Sequence, residues 1–382
     1  MWHYGALRPL YPIVKYGFWR CSHNDAMKIL ITGICGFTGS TLARAFKEFD
    51  HNVDLSGIDN FLRLGSEHNR APLKAAGVRV FHGDTRCASD FDLLPKVDWL
   101  IDAAANPSVL AGVSGASSSR QVVEHNLSGT INLLEYCKTA GAGLVLLSTS
   151  RVYSISALAN LPLTVKDNAY RPRLDSATPV GLTVEGIAEN FSTAPPLSIY
   201  GATKVASEVL ALEYGSAFSF PVWIDRCGVL AGAGQFGKAD QGIFSFWINS
   251  YLRRRPLRYI GFNGEGHQAR DCLHPRDLAA LIWQQMQAPD RASERIQNVS
   301  GGVASAMSLA QLSAWCAARF GEHRVGREPT ARAYDLPWVV LDAARAREQW
   351  DWRPRIPLEQ ILEEIAQHAQ SHPNWLEVSG AT

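Results

Sequence analysis

The sequence predicts an α/β fold with a doubly wound parallel sheet and a smaller C-terminal substrate-binding lobe. In the first half of the chain, short β-rich apolar runs alternate with helical segments, which is typical of a parallel sheet covered by helices on both faces. A glycine-rich turn, TGICGFTGS, joins the first run to the first helix. The 382 residues, 46% of them hydrophobic, can fill a large core.

The predicted strands follow one another in the order in which such a sheet is built. KILIT at 28–32 is the first strand, and a helix follows it at 40–49. The next four strands are NVDLSGID, VRVFHGD, VDWLIDAAA and GLVLLSTS, at 52–59, 78–84, 97–105 and 143–150. Before the last of them, apolar residues recur at a helical period and predict a long helix over 122–140.

The second half of the chain is less regular. About 45 residues rich in Pro, Ser, Thr and Gly, at 154–197, exceed an ordinary connection. We expect part of this segment to be an active-site loop or lid that contributes to substrate choice. A helix at 200–215, a strand at 221–230, the glycine-rich AGAGQFGKADQG and two late helices, 308–320 and 357–370, follow. We therefore divide the chain into 27–239, mainly a cofactor domain, and 240–382, mainly the lobe, with segments near 270–285 returning to the first domain.

Residues 1–26 are aromatic-rich and have no clear period. They lack the apolar segment and cleavage site of a secretory signal. Two interpretations stay open for them: a disordered tail upstream of a natural start at Met27, or an extension that packs on the body or on a partner.

Charge and cysteine usage narrow the class of protein. The net charge of +1 offers no bulk field for nucleic acid or for a membrane surface, and no apolar run is long enough to span a bilayer. The seven cysteines have no metal-ligand spacing, so we expect no metal site and a reduced, cytoplasmic protein.

The glycine turn predicts a dinucleotide site. Gly33 permits a tight turn, Gly36 lets the backbone approach a pyrophosphate, and Gly39 lets the helix pack on the sheet. Asp59 ends the second strand, where a carboxylate suits the ribose hydroxyls of NAD and repels the phosphate of NADP. Arg63, four residues later, would soften that preference.

The motifs, in their order over residues 27–368, resemble the extended short-chain dehydrogenase/reductase superfamily, whose cofactor domain is Rossmann-like. The resemblance rests on GxxGxxG, FHGDTR, DAAANP, EHNLSGTINLLE and a late segment with Trp352 and Pro354. It implies an NAD site with the adenine near Asp84. The cofactor contacts that we expect are Gly33, Gly36, Phe37, Thr38, Gly39, Asp59, Asn60, Asp84, Thr85, Ala103, Ala104, Ala105, Asn126, Tyr200, Lys204 and Cys227.

The stretch SIYGATK places a tyrosine and a lysine on one helix face, four residues apart. By the resemblance, Thr149, Tyr200 and Lys204 form the catalytic set. A neighbouring lysine and a cationic nicotinamide ring favour the phenolate, which can take a proton from a sugar hydroxyl while Thr149 holds the oxygen. A surface Tyr and Lys on an ordinary helix is the alternative.

The later segments GAGQFGKADQGIFSFWI and GFNGEGHQARDCLHPRDL resemble the nucleotide-sugar epimerases, most closely the CDP-paratose 2-epimerases. The resemblance implies a nucleotide-sugar substrate, with Arg270 on its diphosphate. Related dehydratases carry an Asp-Glu pair where this chain has Ser150 and Arg151, so elimination is not expected. The expected substrate residues are Thr149, Ser150, Gln235, Asp240, Gln241 and Arg270.

These observations predict an NAD-dependent nucleotide-sugar epimerase that oxidises a sugar hydroxyl, at C2 by the resemblance, and reduces the ketone on its other face. A UDP-sugar 4-epimerase, a keto-sugar reductase and a non-catalytic NAD-binding regulator are the alternatives. Surface polysaccharide synthesis is the usual context of the resemblance. The family often pairs through two helices per subunit, here 119–140 and 200–216, so a homodimer or a higher homo-oligomer is expected.

Overall fold

The structure is a computed structural model that describes residues 26–113, 118–174 and 178–381. Most of segment 1–26 therefore lies outside the described residues. The strands, in chain order, are β1 (Lys28–Thr32), β2 (Asp54–Asp59), β3 (Arg79–His82), β4 (Trp99–Asp102), β5 (Gly143–Thr149), β6 (Leu163–Lys166), β7 (Ala169–Pro172), β8 (Val222–Cys227), β9 (Val229–Leu230), β10 (Leu257–Ile260), β11 (Ala269–Leu273), β12 (Ile296–Val299), β13 (Ala306–Ser308), β14 (Val325–Glu328) and β15 (Trp338–Val339).

The helices frame these strands. In chain order they are α1 (Phe37–Phe49), α2 (Arg70–Ala75), α3 (Ser119–Val123), α4 (Gly129–Ala140), α5 (Ile155–Ala159), α6 (Ile199–Phe218), α7 (Ile243–Leu252), α8 (Pro275–Gln287), α9 (Leu309–Phe320), α10 (Ala344–Trp350), α11 (Leu358–Ser371) and α12 (Trp375–Val378). A π-helical turn, Glu124–Ser128, joins α3 to α4.

A seven-stranded sheet lies at the centre, in the order β12-β8-β5-β4-β1-β2-β3. Every neighbouring pair in it is parallel. The predicted doubly wound fold is therefore confirmed. The order reverses between β1 and β4, and in such sheets the crevice at this point, outside the carboxyl ends of the strands, is the usual ligand site.

Helices cover both faces of this sheet. On one face α1 and α8 pack together, with the Phe46 and Trp283 ring centroids 5.7 Å apart. On the other face Leu133 and Leu134 of α4 and Ala211 of α6 form the core. All three side chains are buried almost completely, which anchors α6 on the sheet.

Several boundaries differ from the prediction. α1 begins at Phe37 rather than at residue 40, because its first turn follows directly from the glycine turn. The predicted strand 221–230 breaks at Gly228, where a Cβ would lie only 2.4 Å from the Asp271 carboxylate. Beyond the break, β9 pairs with β11 instead of the central sheet. β12 extends the central sheet with residues outside the 270–285 segment that we expected to return.

The insert at 154–197 is part of the folded body. It forms α5 and the β6–β7 hairpin, and Ile187 bridges to Leu341. Leu158, Leu182 and Phe191 pack in one apolar cluster with the segment around Leu341. The apolar side chains of this insert hold its described residues on the body, and none of these residues lines either cavity described below. The active-site loop or lid expected in part of the insert stays a prediction.

The C-terminal elements form a second core. Trp247 and Ile248 of α7, Leu312 of α9 and Ile361 and Ile365 of α11 are its main buried side chains. Within the described residues, no helix is both long and apolar enough to cross a membrane.

Candidate functional site

A cavity of about 660 Å³ lies at the carboxyl ends of the central strands, at the point where their order reverses. Seventeen of the predicted site residues line it, which are Gly33, Gly36, Phe37, Thr38, Gly39, Asp59, Asn60, Thr85, Ala103, Ala104, Ala105, Thr149, Ser150, Tyr200, Gln235, Asp240 and Gln241. We call it the cofactor cavity. A second cavity of about 430 Å³ adjoins it, and Arg151, Val229, Asp240 and Gly242 line both.

The glycine turn forms one wall of the cofactor cavity. Gly33 has a φ of +60°, and a Cβ there would approach Ala104 Cα to 3.0 Å. A Cβ on Gly39 would lie 2.3 Å from the Gly33 carbonyl oxygen. Gly36 precedes α1 without a side-chain cap, so the first N–H groups of the helix are left for an anion. This open, uncapped helix start fits the pyrophosphate of a dinucleotide.

Asp59 is held at the end of β2 by backbone donors. Cys35 N donates to its Oδ2 at 2.9 Å, and Phe61 N donates to its Oδ1 at 2.8 Å. Burial is the largest influence on this carboxyl and raises its pKa, while the two N–H groups oppose that shift. Each oxygen still has a lone pair, so the carboxylate can accept from the ribose hydroxyls of NAD.

Thr149 and Tyr200 meet in the wall of the cofactor cavity, next to Arg151, which also lines the second cavity. Thr149 ends β5, and Ser198 caps α6 by accepting from Gly201 N at 3.0 Å. This cap places Tyr200 in the first helical turn with its hydroxyl toward Thr149. Burial, the largest influence, raises the pKa of Tyr200 to about 12, whereas Thr149 and the cation of Arg151 lower it.

Lys204 lies one turn beyond Tyr200 and is buried. Its ammonium donates to Leu147 O at 2.9 Å and lies 3.9 Å from Asp102 Oδ2. Lys204 does not line the cofactor cavity. Its charge is therefore held behind Tyr200 by a carbonyl and a carboxylate.

Three further predicted cofactor residues lie behind the cavity wall. Asp84 accepts from Arg86 and from Asn60 Nδ2, which orients Asn60 toward the cavity. Asn126 Oδ1 accepts from Asn106 N at 2.8 Å and is itself buried. Cys227 lies opposite Thr149 in the sheet register, and burial raises its pKa. None of the three lines the cavity, so their proposed role is to support residues that do.

The second cavity is lined by arginines. Arg270 lies there, 3.5 Å from Asp335, and also donates to Leu336 O at 2.7 Å. Arg151 Nη1 donates to Tyr334 O at 3.2 Å, and Arg332 donates to Ala239 O at 3.1 Å. With Arg258, Asp240 and Asp335, the lining carries four cations against two carboxylates. This excess of positive charge suits an anionic ligand such as a diphosphate.

Arg332 and Arg258 were not among the residues predicted from the sequence to bind substrate. Arg151 was noted only because related dehydratases have an acidic residue at its position. Arg332 is three residues from Asp335, in a segment without a recognisable motif. The signal that was available is the run of arginines at 324–332 in a lobe already predicted to bind a diphosphate.

Arg63 does not approach the Asp59 carboxylate. Its guanidinium donates to Gln241 Oε1 at 2.9 Å and to Phe236 O. The predicted effect of Arg63 on the choice between NAD and NADP therefore has no support in this geometry. Asp240, predicted to bind substrate, accepts from Ser108 Oγ at 2.7 Å.

Comparison with known proteins bears on this geometry. The model of the NAD dependent epimerase/dehydratase family matches residues 29–300. The chain belongs to this family. The predicted family, NAD as the cofactor and the predicted class of enzyme, an NAD-dependent epimerase, are thereby confirmed.

Individual relatives show the same architecture. The CDP-paratose 2-epimerase of Salmonella typhi is 26% identical over 348 residues, covering 86% of this chain and 95% of that protein. A UDP-glucuronate 4-epimerase of Thermodesulfobacterium geofontis is also 26% identical, over 87% of this chain and 93% of its own length. The fold matches the structure of UDP-glucuronic acid 4-epimerase from Bacillus cereus in complex with UDP-glucuronic acid and NAD, with a TM-score of 0.72, 22% identity and coverage of 90% and 99%.

Proposed function

We propose that this chain is a nucleotide-sugar epimerase that inverts C2 of a CDP-sugar of the paratose type. The observation that carries the proposal is that Thr149 and Tyr200 line the cofactor cavity next to Arg151, which lines both this cavity and the second cavity. A sugar attached to a diphosphate in the second cavity would present its ring to these two hydroxyls.

Tyr200, Thr149 and Lys204 each have a chemical part in this reaction. NAD, when bound, supplies reversible hydride transfer. Tyr200 removes the proton of the reacting hydroxyl and returns it after inversion. Thr149 holds the reacting oxygen, and Lys204 keeps a positive charge behind the phenol. Because elimination needs a further acid and base that Ser150 and Arg151 do not supply, the chemistry stops at oxidation and reduction.

The nucleotide would lie in the second cavity. Arg270 and Arg332 line this cavity and offer planar donors suited to two phosphates. Arg270 is held by Leu336 O and Arg332 by Ala239 O. We choose CDP-paratose as the substrate type because the CDP-paratose 2-epimerase of Salmonella typhi matches the chain over most of its length.

A UDP-sugar 4-epimerase is the second candidate. Arg151 favours it, because a guanidinium at the sugar end of the cavity suits a sugar that carries a carboxylate. A relative of similar coverage is named as a UDP-glucuronate 4-epimerase. A panel that contains both neutral and acidic nucleotide sugars separates the two candidates.

We also propose that two copies pair through α3, α4 and α6. Val123, Ile131 and Val209 on these helices are 37%, 40% and 55% exposed, which leaves apolar surface on one face of the described structure.

The test of the proposed base is Tyr200→Phe, with Tyr214→Phe on the same helix as the matched control. We expect Tyr200→Phe to lower kcat for the epimerised sugar by at least about 100-fold, since the proton acceptor is lost. Tyr214 donates to Glu135 on the surface, so its variant keeps full activity. Near-normal turnover by Tyr200→Phe, with NAD bound, would remove Tyr200 from the mechanism.

A further inference from the structure

A short segment of the C-terminal half separates the two cavities. We call residues 235–242 the strap. Phe236, Lys238 and Gln241 line the cofactor cavity, Ala239 lines the second cavity, and Asp240 lines both. The strap therefore covers the cofactor cavity on the side that faces the second cavity.

Arg63 joins the strap to the loop that follows β2. This loop begins directly after Asp59, the last residue of β2 and the one expected to hold a ribose of NAD. Arg63 Nη1 donates to Gln241 Oε1 at 2.9 Å, and Nη2 donates to Phe236 O. One guanidinium thus bridges the loop and the strap across the cofactor cavity, between parts of the chain more than 170 residues apart.

Packing holds the two segments at a fixed distance. Gly65 has a φ of +90°, and a Cβ there would lie 2.7 Å from the Phe236 ring. On its other side Phe236 stacks on Trp375, with the centroids 5.2 Å apart, and Trp375 Nε1 donates to Gln235 O at 2.9 Å. The strap is therefore enclosed between the β2 loop and α12.

A further hydrogen bond ties the strap to a third segment of the chain. Ser108, in the segment after β4, donates from Oγ to Asp240 Oδ2 at 2.7 Å. Burial lowers the pKa of Arg63, and the charge of Asp240 opposes that shift. The Arg63 guanidinium therefore donates two hydrogen bonds to neutral oxygens of the strap, which fixes the distance between the strap and the loop after β2.

We propose that Arg63 is a positioning residue that fastens the strap over the bound NAD, with Ser108 as a second fastening, so that the cofactor does not leave during turnover. Retention has a purpose if the chain works as the proposed epimerase, because the hydride removed from the sugar must return to it. The proposed retention of NAD depends only on the cofactor cavity and the strap, and not on which sugar reacts.

The experiment measures NAD retention in the full chain. Wild type, Arg63→Ala, Arg63→Lys, Ser108→Ala and the control Arg79→Ala are loaded with NAD, passed through gel filtration and assayed for NAD per chain. The dissociation rate is measured on protein loaded with NADH, from the change in NADH fluorescence after the complex is diluted. Arg79 forms an exposed ion pair with Asp54 at 3.0 Å, away from the cavity. Thermal unfolding of the NAD-free proteins reports whether each variant is folded.

We expect Arg63→Ala to release NAD about tenfold faster than wild type, because it loses hydrogen bonds from a charged donor. Ser108→Ala should be intermediate, Arg63→Lys should restore part of the retention, and Arg79→Ala should match wild type. Equal dissociation rates for Arg63→Ala, wild type and Arg79→Ala overturn the proposal. A folded Arg63→Ala protein that loses NAD supports it even if no sugar is epimerised, in which case only the proposed function fails.

Discussion

Tyr200 lies in an environment that opposes its ionisation. Burial raises the pKa of its phenol to about 12, and Cys227 and Asp102 act in the same direction. Thr149 and Arg151 lower it. Arg151 is fixed against this site, because its amide donates to Thr149 Oγ1 at 3.2 Å and a Cβ on Gly201 would touch its carbonyl oxygen. The base thus needs nearby positive charge to work near neutral pH.

Arg151→Gln should shift the pH profile of turnover upward. Loss of the cation raises the pKa of Tyr200, and since the phenolate is the active form, the rising limb of kcat against pH moves by about one unit to higher pH. Arg151→Lys keeps the charge and should keep the profile close to wild type. A rising limb at the same pH in Arg151→Gln would show that this cation does not influence the base.

Residues that act through local sequence were predictable, and those that act across the fold were not. The glycines of the turn, Asp59 and the Tyr200–Lys204 spacing belong to short motifs that follow from turn and helix geometry. Arg63 and Arg332 make their contacts with the strap from distant parts of the chain. Nothing in their neighbours' sequence indicates that partner, because the contact depends on how the lobe folds back over the sheet.

At the scale of elements, β8 carries a buried carboxyl group without a cationic partner among its hydrogen bonds in the part of the chain that the structure describes. Asp225 is fully buried, its Oδ1 accepts from Gln285 Nε2 at 2.9 Å, and its Oδ2 and Gln285 Oε1 have no hydrogen-bond partner. Burial raises the pKa of Asp225 to about 7. A protonated carboxyl would donate to the free Gln285 oxygen, so the neutral form fits this site better.

Asp225→Asn should stabilise the protein at high pH. In the unfolded chain the carboxyl ionises near pH 4, whereas in the folded chain it stays neutral to about pH 7, so wild-type stability falls between these two values. Asparagine removes that loss, worth roughly 2 to 4 kcal/mol at pH 8.

Thermal unfolding at pH 5 and pH 8 measures this effect. The Tm of Asp225→Asn should exceed that of wild type by more at pH 8 than at pH 5, whereas Asp92→Asn, an exposed control, should follow wild type. An Asp225→Asn protein that loses stability equally at both pH values contradicts the neutral carboxyl.

The elements themselves were largely predictable from periodicity. β1 and β5 match the predicted strands closely, and α6 extends the predicted helix by only a few residues. The packing of the insert at 154–197 was not predictable, because its irregular composition is typical of a loop while its scattered apolar residues pack against distant parts of the chain, such as Ala269 and the segment around Leu341. β12 was also not predicted, because it has only four residues and is stabilised by its pairing with β8 at the edge of the sheet.

At the scale of the whole molecule, the exposed apolar residues of α4 and α6 predict a dimer. Val209→Glu would bury a charge in the proposed interface and should convert a wild-type dimer to a monomer in light scattering after gel filtration. Leu93→Glu, at a position 85% exposed elsewhere, should leave the dimer intact. A wild-type monomer, or a Val209→Glu dimer, contradicts the proposed pairing.

In the proposed mechanism, one hydride leaves the sugar for NAD and returns to the same carbon. The direct test is incubation of the NAD-loaded protein with a panel of neutral and acidic nucleotide sugars in deuterated water, followed by NMR. We expect inversion at one ring carbon with no deuterium at that carbon. Deuterium at the inverted carbon would indicate direct proton abstraction and would contradict the mechanism.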